Sequence, residues 1–500
     1  MLKENNGMQT LYENIIKLSQ LDVLESVRKI GERSYTNQNS LPITYYDIAD
    51  FLLKVGQPDV AEMYYKLSLN AAFTPTTYSG YLQCLLLNPS CTAEKMFAEA
   101  SKYSQFFKGI QPYETYSNDL RSDRKLNIGY ICHFFHNSVS QSILLPFVKA
   151  HNRDQVKVFC YSDTLPDEVA DDVKSIADVW RDTKTLDDET LAQVLREDKI
   201  DILLELNGHC AINRYGVIAR KPVPVQVSFY NISTTSGVPG FDYILVGDEI
   251  SLGKLQSYYS ESFYFMKGAG GVAEFPDYFP DAAPAPCLKN GYITFGSFGS
   301  AHKVNAAVIK LWCKVLKEIP TAKFYMKAGV LIEEHYKQVY LKQFVAEGID
   351  PDRIYLEGYS EHQKMLECYA NMDIALDTFP HAAGTTTLEA LWQGVPVLTL
   401  SGETYSMQHG KVILGRINHS ELVSYSEEEF VSKAVALAKD QERIVQYRQS
   451  LREDFKNSPC ADVHSYVTNL ENAYMGMWSE YCKNNNDSIK NKMDSIEVIQ

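Results

Sequence analysis

Apolar positions recur along this chain with two different periods, and the change from one to the other divides it. Over roughly the first hundred residues the period is helical. Segments 43–55 and 58–73 predict a helix pair about Gly56, and segments 75–87 and 92–107 predict a second. Ala49, Ala61, Tyr65 and Ser68 fall where paired helices need small or aromatic contacts. The offset from Tyr45 to Thr77 is close to the repeat of about 34 residues that marks tetratricopeptide arrays. Residues 1–116 are therefore expected to form an α-helical, TPR-like repeat region, although a plain helical bundle carries the same pattern.

After a polar link over 117–125, short apolar runs take over. LNIGYIC (126–132), VKVFCYS (156–162), DILLEL (201–206), VQVSFYN (225–231) and YILVGD (243–248) predict strands, and helical patterns separate the first of them. A proline-rich linker, 276–286, interrupts the alternation, which then restarts at 292–298, 322–328, 353–358, 373–377 and 397–400. Strand and helix in alternation build a parallel sheet covered on both faces. The expected fold class is thus α/β, with two Rossmann-like domains at 124–275 and 288–470 behind the helical region, and a polar, disordered tail at 482–500. Tandem domains of this kind are expected to turn their strand ends towards a shared cleft, where such sheets bind ligands.

Composition narrows the function. Five hundred residues with 45% hydrophobic and 12% aromatic positions can fill several cores. A formal net charge of −15, with no lysine-arginine block, opposes a phosphate-tracking surface, so no nucleic-acid partner is expected. The first residues carry no signal-peptide run, and no segment approaches the roughly 20 apolar residues of a membrane span; a cytoplasmic location is expected. The ten cysteines are scattered, form no C-x-x-C pair and lie mostly among apolar residues, which argues against a disulfide framework or a zinc site. Asp350-Pro351-Asp352 reads as a turn rather than a metal clamp, and no metal or other cofactor is expected.

The stretch 373–400, DIALDTFPHAAGTTTLEALWQGVPVLTL, concentrates the candidate chemistry. A buried strand leads into a loop of small residues broken by Pro380, and a helix follows at once. Thr385, Thr386 and Thr387 are expected to supply its N-cap and first-turn hydroxyls, with Leu388, Leu391 and Trp392 as the apolar stripe and Gly394 at the end. Unpaired N–H groups and a positive helix end in one crevice suit an anion such as a diphosphate. Glu389, a turn further in, could hold sugar hydroxyls. An ordinary capped helix of an α/β domain has the same sequence pattern.

Taken in order, LNIGYI, DILLELNGH…NR…ARKPVPVQVSF…TSGVPGFDY, NGYITFGSF…K and DIALDTFP…GTTTLEALWQGVPVLTLSGE resemble the catalytic region of the O-linked N-acetylglucosamine transferases, including SPINDLY-like members. The resemblance spans about 126–451, and that family also places helical repeats in front. It implies a GT-B glycosyltransferase fold, a UDP-sugar donor, a serine or threonine hydroxyl of a protein as acceptor, and inverting chemistry without a metal. Residue by residue, it implies that Lys303 contacts the donor diphosphate, that Thr385 and Thr386 bind it with Thr387 beside them, that Glu389 holds the ribose, and that Ser300 lies near the diphosphate. His209, in LNGHCAINR, matches a histidine of bacterial members; it reads either as an acceptor-side or general-base residue or as a loop histidine bonded for structure.

Three departures stand out against that pattern. The run HFFHNSVSQ displaces His133 and His136 from the place of a family histidine after the first strand. NISTTSG (231–237) replaces a glycine- and proline-containing loop at the sugar pocket. Counting back from Tyr369 and Asp373 puts Met365, not His362, where the family often has a histidine near the nucleotide base. Two rival functions follow: a non-catalytic TPR-type adaptor with a decayed cleft, which the displaced histidines favour and the retained Lys303, GTTT and Glu389 oppose, and a sugar-nucleotide epimerase, which would need no acceptor-binding repeats.

Overall fold

All strand pairings among the described residues are parallel. The computed structural model describes residues 23, 27–30, 41–136, 140–164, 167–210, 212–230, 233–268 and 271–497. It holds two sheets, each in its own compact unit.

The first sheet comprises β1 (Leu126–Cys132), β2 (Val156–Ser162), β3 (Val179–Asp182), β4 (Ile202–Glu205), β5 (Val225–Ser228), β6 (Tyr243–Gly247) and β7 (Ser262–Met266), in the order β3-β2-β1-β4-β5-β6-β7. Its central strands are buried along almost their whole length, as a sheet covered on both faces requires. The chain reverses its direction of travel across the sheet between β1 and β4. In open α/β sheets that switch point opens a crevice at the carboxyl ends of the strands.

The second sheet comprises β8 (Thr294–Phe298), β9 (Lys323–Lys327), β10 (Ile354–Glu357), β11 (Ile374–Leu376), β12 (Val397–Leu400) and β13 (Val423–Ser424), in the order β10-β9-β8-β11-β12-β13, with its switch point between β8 and β11. The helices α1 (Leu41–Lys54), α2 (Pro58–Ala71), α3 (Pro75–Leu87) and α4 (Ala93–Lys102) fall on the four expected helical segments, and α2 packs on both α1 and α3. The first three, with the chain up to Met96, belong to the same unit as this sheet. Between β8 and β9 lies α5 (Ala306–Glu318), whose Val308, Leu311, Trp312, Val315 and Leu316 are buried as the periodicity predicts; each such side chain contributes about 1.5–3 kcal/mol. Helix α6 (Glu334–Ala346) joins the N-terminal helices to the sheet: Tyr340 donates to the Lys54 carbonyl at 2.8 Å, and Gln343 to the Val55 carbonyl at 3.1 Å. Gly56 sits at that junction with φ +75°, where a Cβ would stand 2.4 Å from the Val304 carbonyl oxygen, so both its conformation and its space demand glycine.

The domain ends differ from the expected ones. The second-sheet unit closes at Asn457 rather than 470, and the chain from Ser458 returns to the first-sheet unit. The expected disordered tail from Cys482 is instead helical up to Glu497, the end of a helix that begins at Val463, and Cys482 is buried. The residues that dock this helix lie ahead of the polar run. Tyr474 shares a hydrogen bond of 2.7 Å with Tyr130 of β1, Glu471 lies 2.9 Å from Nδ1 of His151, and Arg124 stacks 4.8 Å over the Trp478 ring. Residues 498–500 lie outside the described set.

Candidate functional site

Asp377 organises the loop that enters the stretch 373–400. Its Oδ1 accepts from the backbone N–H groups of Thr378 (2.7 Å) and Ala383 (2.8 Å), and its Oδ2 from the Thr399 hydroxyl (2.7 Å). One buried carboxylate thereby draws both ends of the loop 378–383 onto the carboxyl end of β11. Asn305 does the matching work from the other side of the switch point: its Oδ1 caps α5 through the N–H groups of Ala307 and Val308, while its Nδ2 donates to the Phe379 carbonyl at 2.7 Å. The loops after β8 and β11 are thus tied together over the crevice between those strands.

Helix α7 (Thr385–Trp392) starts where the loop ends. The N-cap is Gly384, not one of the threonines, and no side chain caps the helix; the N–H of Thr387 bonds to the Gly384 carbonyl at 3.0 Å, which leaves those of Thr385 and Thr386 without a partner within the helix. The three threonines divide by helical phase. Thr385 and Thr386 are half-exposed at the crevice, and Gly299, with φ +146° after β8, lies against the Thr386 side chain. Thr387 is buried and its hydroxyl donates to the Ala383 carbonyl at 3.1 Å, so it braces the loop.

Lys303 reaches the same place from a short turn, Ala301–Lys303, and its Nζ donates to the Ala382 carbonyl at 3.2 Å. Burial pulls its pKa down to about 8, partly opposed by the Asp377 carboxylate. Two histidines share this electropositive corner. The rings of His381, in the loop, and His409, first residue of α8 (His409–Arg416), are 6.0 Å apart edge to face. Burial, followed by the nearby Lys303 charge, holds both well down, His409 at about 4, so both are neutral at pH 7. Ser300 is exposed and bonded to Nδ1 of His302 at 3.0 Å, beside Lys303 in the chain.

Glu389 is buried one turn into α7, with Oε1 3.0 Å from Nε2 of His362, whose Nδ1 lies 2.8 Å from the Tyr278 hydroxyl. His362 therefore does reach the site. Counting in sequence register pointed past it to Met365, because register along a helix does not report which turn faces a neighbouring element.

In the first-sheet unit, His209 is buried between the rings of Tyr103 (4.8 Å) and Tyr215 (5.0 Å). Its Nε2 lies 2.8 Å from the Ser236 carbonyl, which can only accept, so Nε2 carries the proton and donates. Burial lowers its pKa to about 4, against the effect of that bond. These contacts tie the ring into the loop by its Nε2. The first-sheet switch point holds a different histidine. His133 follows β1, with Nδ1 2.9 Å from the side-chain oxygen of Asn207, which follows β4. In the neutral ring Nδ1 donates, leaving Nε2 as an acceptor, and burial keeps the pKa below the ordinary value. The signal for His133 was its place directly after a strand; the lack of small residues behind it hid that signal. Part of that run, 137–139, and part of the NISTTSG loop, 231–232, lie outside the described residues.

A match to the family described as glycosyl transferase family 41 covers residues 105–283 and 285–470. The chain belongs to that family. It is 33% identical over 395 residues to a protein of Hordeum vulgare named probable UDP-N-acetylglucosamine–peptide N-acetylglucosaminyltransferase SPINDLY, covering 77% of this chain and 42% of the relative. A protein of Arabidopsis thaliana with the same descriptive name, SEC, is 27% identical over 372 residues, covering 72% and 38%. The chain thus spans less than half the length of these relatives. Among solved structures, a lysine-to-methionine variant of the O-GlcNAc transferase of Thermobaculum terrenum superposes on 89% of this chain and 85% of its own, with a TM-score of 0.83 and 27% identity. Two parallel sheets with a helical region ahead of them in the chain are the GT-B architecture that the family resemblance implies. No helix among the described residues is long and apolar enough to cross a membrane.

Proposed function

We propose that the protein transfers a sugar, N-acetylglucosamine from its UDP donor, to serine or threonine hydroxyls of a protein acceptor, with inversion and without a metal or other cofactor. The observation that carries this reading is the anion cradle at the second-sheet switch point, where Lys303, the uncapped start of α7 and Thr386 meet. The acceptor oxygen forms a bond to the anomeric carbon as the bond to the diphosphate oxygen breaks, and UDP leaves with the electron pair. The growing negative charge falls on the Lys303 ammonium and the N–H groups of Thr385 and Thr386, fixed in place before the reaction. The proton of the acceptor hydroxyl goes to a nearby neutral base or to water. His209 acts as a positioning residue that supports the Ser236 loop. Thr387 and Ser300 flank the diphosphate contacts.

The acceptor protein is held in part by the N-terminal helical pairs, and the protein works in the cytoplasm. The family membership and the similarity to named peptide N-acetylglucosaminyltransferases support this reading. Its test is mass spectrometry of candidate acceptors incubated with the protein and UDP-N-acetylglucosamine in excess chelator. A gain of one N-acetylhexosamine on serine or threonine is expected. UDP binding with no modified acceptor would point to the adaptor, and turnover restored only by a divalent cation would remove metal independence.

A further inference from the structure

The corner between α1 and α2, Lys54 to Gln57, is fastened to the turn that carries Lys303. Tyr340 of α6 is fully buried, and burial holds its hydroxyl far above the ordinary phenol range, so it stays a donor. Its oxygen lies 2.8 Å from the carbonyl oxygen of Lys54, the last residue of α1, and 3.0 Å from that of Ala301, the first residue of the turn. One proton is therefore shared between the two segments. The Ala306 N–H, at the start of α5, donates to the Gly56 carbonyl at 3.2 Å. Gly56 approaches so closely that a Cβ there would also stand 3.2 Å from the Asn305 Cα, with no side chain between the two backbones to yield. The fastened segment feeds the cradle. Lys303 stands inside it, and the Val304 N–H closes the turn on the Ala301 carbonyl at 3.0 Å. Asn305 ends it and holds the Phe379 carbonyl of the loop before α7. A shift of the corner is thus passed both to the ammonium and to the loop it bonds. Tyr340 and Gly56 are buried, so neither can touch a protein acceptor.

We propose that the α1–α2 corner is a working part of the donor site: Tyr340 is a positioning residue that, with the close approach of Gly56, holds the turn 301–305 where Lys303 meets the diphosphate. The N-terminal helices and the donor are thereby coupled. The proposal rests on the donor reading above and adds a donor-side role to helices that this reading gives to the acceptor. Such coupling is reciprocal, so what the corner does for a bound diphosphate, the diphosphate does for the corner.

The test is calorimetry on the full chain with UDP and with uridine, which lacks the diphosphate, in wild type, Tyr340→Phe, Lys303→Met and the double variant. Tyr340→Phe keeps the ring and removes the shared proton. It is expected to weaken UDP about fivefold and uridine less than about twofold, since a misplaced ammonium gives up part of a charged bond whose full loss costs about tenfold or more. In the Lys303→Met background the same change should cost UDP less than about twofold, because residues that act through one another are not additive. A Tyr340 that only supports the fold would weaken UDP and uridine alike, or weaken UDP by the same factor with and without Lys303. Either result in a folded Tyr340→Phe overturns the proposal, and so does wild-type UDP affinity in that variant. Should Tyr340→Phe lose its native melting transition, amide hydrogen exchange of the wild type decides: UDP, and not uridine, should slow exchange of the Ala306 N–H at least about threefold. Exchange there untouched by UDP, with the start of α7 protected, overturns the coupling. Failure of the wild type to bind UDP at all overturns the donor reading itself.

Discussion

The Nζ of Lys303 lies 3.2 Å from the carbonyl oxygen of Ala382, two residues before the N-cap of α7. That single bond leaves the ammonium with donors to spare, beside N–H groups that no side chain caps. A cation so placed adds charge to the crevice and little to the core. Lys303→Met is therefore expected to reduce transfer at least about a hundredfold, the scale of losing one preorganised charge contact in the transition state, with a melting temperature within a few degrees of wild type. Turnover with saturating donor checks this; a variant turning over at the wild-type rate removes Lys303 from the mechanism.

The same lysine sets a pH dependence for donor binding. Its pKa of about 8 in the free protein means it is mostly charged at pH 7 and mostly neutral at pH 9. Affinity for UDP should thus fall as pH rises through 8, approaching about tenfold for each further step of one in pH. Binding near pH 8 should also take up protons, because the diphosphate favours the charged lysine. Calorimetry in two buffers of different ionisation enthalpy reads the uptake directly. Lys303→Arg, charged throughout, should flatten both effects; if the slope survives in that variant, another group is titrating.

The central strands were legible because they are buried on both faces and read as unbroken apolar runs: β1 and β2 have the bounds expected from the sequence. The edge strands β3 and β7 escaped, since their residues are half-exposed and mixed, and β13 has two residues. In the site, Lys303, Thr386 and Glu389 were found through motif and family pattern, and the structure brings them to one sheet's switch point. The contacts His362–Glu389 and His381–His409 were not legible. Each joins residues 27 or 28 positions apart on different elements, by ring orientation that no local period encodes. The inward turn of Thr387 was within reach of the pattern, because it precedes the buried Leu388 and lies one helical turn before Leu391.

That turn gives a contrast between neighbours. Thr386→Val should weaken UDP about tenfold or more and leave uridine nearly unaffected, as loss of a hydrogen bond to a charged phosphate predicts. Thr387→Val removes a buried hydroxyl bonded to Ala383, so it should lower the melting temperature by a few degrees and change UDP affinity far less. Binding and melting measured on both variants decide the matter. Equal loss of UDP and uridine in a normally melting Thr386→Val would mean that the start of α7 is not the diphosphate cradle.

In the first-sheet unit, Glu205 carries a pH effect on stability. Its buried carboxyl faces the backbone N–H groups of Asn207 and Gly208, each at 3.1 Å, and burial pushes its pKa up to about 8 from an ordinary 4.5. Between those two values the folded state binds more protons than the unfolded one, so stability falls as pH rises. The contribution is fully present below about 4.5 and is lost as pH rises through 8, falling by about 1.4 kcal/mol for each step of one in pH across that window. The melting temperature of the wild type should therefore drop by several degrees more between pH 5 and pH 8 than that of Glu205→Gln, which keeps an acceptor but does not titrate. The same carboxyl sets the Asn207 turn, and the Asn207 side-chain oxygen takes both the backbone N–H and Nδ1 of His133, each at 2.9 Å. Ionisation of Glu205 would thus reach His133 through two hydrogen bonds. Parallel melting curves for wild type and Glu205→Gln across that range would show that the carboxyl ionises normally, and would remove the link between its titration and His133.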